Sequence, residues 1–110
     1  MERVDYFERV REVVELIPYG KVTTYGAIAQ FLGLKSGARM VGWACNTGTA
    51  DPMNPLPYHR VVNRNGELTG RFHFPGDVMK ERLEDEGITF KKEFQVDLEK
   101  HLWLPENNSI

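Results

Sequence analysis

The segment Pro57-Tyr58-His59-Arg60-Val61-Val62 places a phenol, an imidazole and a guanidinium next to one another. A side chain that accepts an alkyl group by displacement must be a good nucleophile, and a thiolate activated by a neighbouring imidazole meets that need. A phenol has an ordinary pKa of about 10, and its oxygen is a hard and weak nucleophile. Tyr58 is therefore predicted to form the wall of a pocket instead of acting as a nucleophile.

Cys45 is the one thiol among the 110 residues, and it lies outside this segment. A single cysteine excludes an internal disulfide, and the three histidines lack the spaced cysteines or carboxylates of a zinc site. We expect Cys45 to be a small buried side chain. The sequence predicts neither a metal nor a cofactor.

Charge is distributed unevenly along the chain, whose net charge is −2. Residues 17–76 contain six Lys or Arg and two acids, whereas the two ends contain eight Lys or Arg and fourteen acids. A basic middle fits a domain with one phosphate-facing surface, although solvated helix faces explain the acidic ends equally well. The length predicts a single domain over residues 1–110, and the lack of a long apolar run predicts a cytoplasmic protein without membrane contact.

Two short helices in the basic middle have the pattern of a helix-turn-helix. Thr24 is a predicted N-cap for a helix from Tyr25 to Leu32, and Ser36 is a predicted N-cap for a helix from Gly37 to about Asn46. The turn Gly33-Leu34-Lys35 joins them. By itself the pattern is weak, because helix pairs with a glycine turn also have purely structural roles.

The rest of the chain is predicted to support this unit. Residues 2–16 have the apolar spacing of an amphipathic helix, and a fourth helix contains Val78 and Leu83 and ends at Gly87. Residues 46–56 are predicted to form a long loop. Residues 61–68 are predicted to form a hairpin, the wing, around an Asn-Gly turn, followed later by a strand over residues 88–90. In the acidic tail, the apolar residues predicted to pack back on the core are Leu102, Trp103 and Leu104.

Four motifs in register resemble the C-terminal domain of the O6-alkylguanine-DNA alkyltransferases. They are the Pro57 segment, Gly20-Lys21-Val22-Thr23-Thr24-Tyr25, Ala38-Arg39-Met40-Val41-Gly42-Trp43-Ala44 and Glu84-Asp85-Glu86-Gly87. The reactive cysteine of those enzymes is replaced by Tyr58, and these 110 residues contain no counterpart of their N-terminal domain. The chain is thus most similar to the alkyltransferase-like branch, in which tryptophan is the familiar replacement. The resemblance implies an α+β fold, a winged helix-turn-helix DNA-binding domain.

The same resemblance implies roles in DNA binding for individual residues. Arg39 would enter the duplex from the minor-groove side and fill the space left by a flipped base. Tyr25 would press on the adjacent phosphate, while Tyr58 and Arg71 would contact the extruded base and its alkyl group. The lesion pocket would therefore contain Tyr25, Tyr58 and Arg71. The residues expected to contact DNA are Thr24, Tyr25, Ser36, Gly37, Ala38, Arg39 and Gly42.

Other residues of the motifs are expected to have structural roles. His59 and Glu86 correspond to the relay that activates the transferase cysteine, and without a thiol they would persist as a structural hydrogen bond. Arg60 would tie the segment to backbone carbonyls or acids. Trp43 is predicted to be the core-facing anchor of its helix, and His73 to be a packed neighbour of aromatic rings.

These observations predict a monomeric protein that binds O6-alkylguanine in double-stranded DNA, flips it and holds it without alkyl transfer. It would mark the lesion for nucleotide excision repair proteins. Two alternatives stay open: an active alkyltransferase with Tyr58 or Cys45 as the acceptor, and a winged-helix transcription factor that prefers a sequence over a lesion.

Overall fold

The computed structural model describes residues 3–34, 37–53 and 55–105. Within them lie five α-helices: α1 (Arg3–Leu16), α2 (Tyr25–Phe31), α3 (Ala38–Thr49), α4 (Val78–Asp85) and α5 (Leu98–His101). The strands are β1 (Thr23–Thr24), β2 (Val61–Val62), β3 (Phe90–Lys92) and β4 (Gln95–Val96). Two 3₁₀ turns, Tyr58–Arg60 and Thr69–His73, flank β2 on either side and are called the first and second 3₁₀ turns.

The helix-turn-helix forms as predicted. Thr24 caps α2, its Oγ1 accepting a hydrogen bond from the Ala27 amide at 3.0 Å, and Gly33 ends the helix with a φ of +73°. The predicted cap Ser36 lies outside the described residues, and Gly37 occupies the N-cap position of α3. Helix α3 continues to Thr49, beyond the expected end near Asn46.

The predicted hairpin over residues 61–68 is wrong. Strand β2 pairs in parallel with β1, with Thr23 opposite Val61 and Thr24 opposite Val62. The Asn-Gly turn does form. It is held by the Asn63 carboxamide oxygen, which accepts hydrogen bonds from the backbone amides of Asn65 and Glu67. The antiparallel hairpin of the described residues is instead β3–β4, and residues 88–89 of the expected strand precede it.

Two apolar clusters stabilise the domain. The first joins α1, α2 and α3, and its buried side chains include Val14, Ile28, Val41 and Trp103. The second packs α4 against β2 and the β3–β4 hairpin around Leu68, Met79 and Leu83. Burial of these side chains supplies the main driving force for folding.

The end of the chain pairs with the segment that leads into α2. The Val22 amide donates to the His101 carbonyl at 3.0 Å, and the Trp103 amide donates to the Val22 carbonyl at 2.7 Å. Trp103 is buried, as predicted, whereas Leu102 is exposed because the local extended backbone turns its side chain away from the core. Among the described helices, none has the length and apolar character needed to cross a membrane.

Candidate nucleic-acid interface

Helix α3 presents one long exposed face. Val41, Ala44 and Cys45 are buried against the core, while Ala38, Arg39 and Trp43 lie on the solvent side. No acidic residue occurs between Glu15 and Asp51, so the helix-turn-helix and the segment that leads into it carry only neutral and basic side chains. This face can approach a polyanion without charge repulsion.

Trp43 is not the core-facing anchor that its apolar character suggested. Its side chain is 69% exposed. Since a helix turns once in 3.6 residues, position 43 lies on the face of Arg39, four residues earlier, and away from the buried face. A large exposed aromatic side chain therefore stands beside the predicted DNA-inserting arginine.

Tyr25 connects the helix-turn-helix to the second 3₁₀ turn. Its ring lies under Gly42 of α3, where an added Cβ would be 3.9 Å from the ring, and its hydroxyl would be 3.0 Å from a Cβ on Gly70. Burial raises the pKa of Tyr25, and a hydrogen bond with Thr69 offsets part of that rise. A side chain at position 70 would therefore crowd the Tyr25 hydroxyl, whereas one methyl group at position 42 would make only ordinary contact with the ring.

Tyr58 lines a cavity of about 200 Å³. The side chain is 4% exposed, and burial raises its pKa above the ordinary value, so the phenol stays protonated at neutral pH. Its hydroxyl is buried with no hydrogen-bond partner among the described residues. The other lining residues come from the end of α3, the following loop, the second 3₁₀ turn and α4: Gly48, Thr49, Asp51, Pro52, Pro55, Leu56, His73, Phe74, Pro75 and Arg82.

The lack of a side chain at Gly48 makes room for the Tyr58 ring. A Cβ at position 48 would overlap the ring and its hydroxyl. Glycine inside a helix normally costs about 1 kcal/mol relative to alanine. The close approach of Tyr58 to the α3 backbone accounts for its presence here.

Gly48→Ala is expected to destabilise the fold by about 1–3 kcal/mol, because overpacking against Tyr58 outweighs the gain in helix propensity. The measurement is urea unfolding followed by circular dichroism. Gly42→Ala is the matched control, since an added Cβ there makes only ordinary contact with Tyr25, and it should be neutral or slightly stabilising. Equal effects of the two substitutions would contradict the assigned packing.

Glu86 is the centre of a buried polar cluster. Its carboxylate accepts hydrogen bonds from Arg60 Nε at 2.9 and 3.0 Å, from Arg60 Nη2 at 2.8 Å and from the Gly20 amide at 2.9 Å. Arg60 Nη1 also donates to the Ile17 carbonyl at 2.8 Å. The predicted structural role of Arg60 is confirmed: it ties α1, the first 3₁₀ turn and the end of α4 together.

His59 completes this cluster as a neutral imidazole. Its Nε2 lies 2.7 Å from Glu86 Oε2, as expected for the structural pair. Burial lowers the pKa of His59, although the hydrogen bond to Glu86 opposes the shift. A neutral ring that donates from Nε2 leaves Nδ1 as an acceptor, and Nδ1 is buried with no hydrogen-bond partner in the part of the chain that the structure describes. Burial alone would raise the pKa of Glu86, but the hydrogen bonds from Arg60, Gly20 and His59 hold it below the ordinary value.

A falling pH is expected to destabilise the protein in two separate pH ranges. His59 has a folded-state pKa below its ordinary 6.5, so the unfolded state takes the proton first and stability falls below about pH 6.5. Glu86 has a folded-state pKa below 4.5, so its contribution is complete above that pH and is lost as the pH falls through the lowered pKa. Urea unfolding between pH 8 and 3 measures both ranges, and His59→Gln should remove the upper one. A stability that stays flat between pH 7 and 5 would contradict the neutral buried imidazole.

Arg71 does not line the Tyr58 cavity. Its guanidinium lies between the rings of Phe72 and Phe94 and borders a separate groove against the β3–β4 hairpin. His73, two residues later, is exposed and lines the Tyr58 cavity, so the packed position predicted for it is wrong. The structure therefore separates Arg71 from Tyr58, and Tyr25 is not among the residues lining the cavity.

The family model for the 6-O-methylguanine DNA methyltransferase DNA-binding domain matches residues 5–88. The chain belongs to this family. It is 37% identical to alkyltransferase-like protein 1 of Schizosaccharomyces pombe over 96% of this chain and all of that protein. It is also 39% identical to a DNA base-flipping protein of Escherichia coli, over 94% of this chain and 78% of that protein. The crystal structure of S. pombe Atl1 in complex with damaged DNA containing O6-carboxymethylguanine superposes with a TM-score of 0.81, at 34% identity, over 96% of this chain and all of that one.

Neither of the two side chains that could accept an alkyl group in this chain, Tyr58 and Cys45, is a good nucleophile. Tyr58 stands where the transferases are expected to carry their cysteine, and its phenol is buried and protonated. Cys45, the other possible acceptor, is buried as predicted, and burial raises its pKa to about 12. A thiol with that pKa holds almost no thiolate at neutral pH.

Several residues that line the cavity were not singled out from the sequence. They come from the loop after α3, where Asp51, Pro52 and Pro55 form one side. The length and irregularity of that loop were the available signal, because long loops in small domains often carry function. The residue types gave no indication of which side chains would face Tyr58.

Proposed function

We propose that this protein binds O6-alkylguanine in double-stranded DNA, rotates the base into the cavity beside Tyr58 and retains it without alkyl transfer. The observation that carries this proposal is the buried Tyr58 beside the intact His59–Glu86 pair. The pair that would activate a nucleophile is present, whereas the nucleophile is replaced by a protonated phenol. A site of this kind can hold an alkylated base but has no thiolate to accept the alkyl group.

The roles of individual residues follow from their places on α2 and α3. Arg39, exposed near the start of α3, would fill the gap in the duplex and hydrogen-bond the orphaned cytosine. Tyr25 and the Thr24 cap lie at the start of α2, where they would meet a phosphate. Ala38 and Gly42 would keep the surface of α3 low enough for close approach to the minor groove, whereas Gly37 is buried against Leu34 and does not reach that surface.

The consequences in the cell form part of the same proposal. A lesion that is gripped but left chemically unchanged must be removed by other proteins, and nucleotide excision repair proteins are the partners that suit a bulky protein–DNA complex. We propose that the protein acts as a monomer in the cytoplasm, with DNA as its partner.

Two binding measurements test the function directly. Duplexes of identical sequence with and without one O6-methylguanine should compete unequally, with the modified duplex preferred; equal competition would favour a sequence-reading transcription factor. Incubation with a duplex that carries a labelled O6-methyl group should leave the protein unlabelled. Stoichiometric label on the protein would show an alkyltransferase instead.

DNA binding is also expected to change the fluorescence of Trp43. The chain has two tryptophans, of which Trp43 is 69% exposed and Trp103 is 8% exposed, so the long-wavelength part of the emission belongs to Trp43. Docking of α3 on a duplex should quench and shift that part, and Trp43→Phe should abolish the response. A response that persists in Trp43→Phe would mean that another surface contacts the DNA.

A further inference from the structure

Arg71 is held between two aromatic rings, which we call the aromatic clamp. The guanidinium carbon lies 4.3 Å from the centroid of Phe72 and 3.9 Å from the centroid of Phe94. Phe72 is 77% exposed, whereas Phe94 is half-buried and packs on the second apolar cluster. Phe94 is therefore the fixed side of the clamp.

The position of Phe94 is set by the β3–β4 hairpin. It lies in the turn between the two strands, and its carbonyl accepts a hydrogen bond from the Leu68 amide at 3.0 Å. Leu68 directly precedes the second 3₁₀ turn, which carries Arg71. Lys80 of α4 also lies 5.2 Å from the Phe94 ring. These contacts hold the ring in place for Arg71.

The second 3₁₀ turn divides two cavities. Thr69, Arg71 and Phe72 border a groove of about 410 Å³ whose other side is the β3–β4 hairpin. His73 at the end of the turn, followed by Phe74, borders the Tyr58 cavity instead. The guanidinium that stacks on Phe94 thus faces the hairpin groove, and reaching a base beside Tyr58 requires it to leave the clamp.

We propose that Phe94 competes with the flipped base for Arg71 and thereby lowers the affinity for the lesion. This inference rests on the proposed function and on the contact with the extruded guanine that the family resemblance implies for Arg71. A guanidinium on a phenyl ring and a guanidinium on a purine ring make the same kind of contact, so one can replace the other at small net cost. The exchange makes Phe94 a specificity-determining residue that does not itself touch the DNA.

The expected size of the effect follows from the strength of such contacts. A cation–π contact at a partly exposed site corresponds to about a two- to five-fold change in an equilibrium constant. Phe94→Leu keeps an apolar side chain on the cluster but removes the ring. It should therefore tighten binding to an O6-methylguanine duplex by about two- to five-fold. Phe94→Trp, which supplies a stronger partner for Arg71, should weaken it.

The test measures dissociation constants of the full chain for matched O6-methylguanine and unmodified duplexes by fluorescence anisotropy. Phe90→Leu is the matched control, because Phe90 is a ring of the same hairpin that lies under Lys80, whereas Arg71 stacks on Phe72 and Phe94. It should leave the lesion preference unchanged. In an Arg71→Ala background the Phe94→Leu effect should disappear, and urea unfolding checks that each variant is folded.

The outcomes separate this inference from the proposed function. Tighter lesion binding by Phe94→Leu that depends on Arg71 supports the competition. Weaker or unchanged lesion binding by a folded Phe94→Leu overturns it, as does a gain that persists in Arg71→Ala. A wild-type protein that fails to prefer the modified duplex overturns the proposed function itself, whatever Phe94 does.

Discussion

Glu86→Ala is expected to lower the free energy of unfolding by about 3–5 kcal/mol. Glu86 and Arg60 have side-chain exposures of only 7% and 15%. Removal of the carboxylate leaves the guanidinium buried with the Ile17 carbonyl as its remaining hydrogen-bond partner, and it frees the Gly20 amide and His59 as well. The cost arises chiefly from the unpaired charge and not from the loss of attraction alone.

Urea unfolding at pH 7 measures this loss. Glu84→Ala removes an exposed carboxylate from the same helix and should change stability by less than about 0.5 kcal/mol. Arg60→Met combined with Glu86→Ala should restore part of the loss, because no unpaired charge then stays buried. A cost near that of Glu84→Ala would show that the cluster is solvated and that its geometry does not stabilise the fold.

Arg39→Ala is expected to weaken binding to modified and unmodified duplexes alike, by tenfold or more. Flipping a base costs a few kcal/mol of stacking and pairing, and each 1.4 kcal/mol left uncompensated is about tenfold in affinity. Arg39→Lys keeps the charge but loses the flat guanidinium that can stack in the gap. It should therefore recover only a minor part of the affinity.

Anisotropy titrations at one fixed salt concentration measure these affinities, since contacts with phosphates depend on salt. Arg64→Ala is the matched control: it removes an exposed arginine from the turn after β2, outside the helix-turn-helix. It should cost only the small, uniform loss of one surface charge. An Arg39→Ala affinity equal to that of Arg64→Ala would rule out the inserting role.

Local signals predicted the helical part of this fold well. The Thr24 cap, the Gly33 stop and the periodic apolar residues of α1 act within a few residues of one another, so their consequences can be read from the sequence. The pairing of β2 could not be read in this way. Val61 and Val62 were predicted to be half of a hairpin, but two β-branched residues suit a parallel partner of Thr23 and Thr24 as well, and only the packing of distant elements decides between the two.

The candidate site was likewise predicted only in part. The His59–Glu86 pair and the role of Arg60 were expected from the family resemblance, and the burial of Cys45 was expected from its residue type; all three are present in the structure. The exposure of Trp43 was missed because an apolar side chain suggests burial, whereas its position on α3 places it on the solvent face. The separation of Arg71 from the Tyr58 cavity depends on how the second 3₁₀ turn is oriented, and no spacing in the sequence encodes that.

The pairing of Val22 with residues 101–103 makes the end of the described chain part of the folded domain. The family match ends at residue 88, yet a fragment cut there would lose buried Val96 and Trp103 and would leave both backbone groups of Val22 without their partners. Val22 lies two residues before the cap of α2. Shortening the protein to its matched region would therefore destabilise the segment that leads into the helix-turn-helix, although every motif of the helix-turn-helix would still be present.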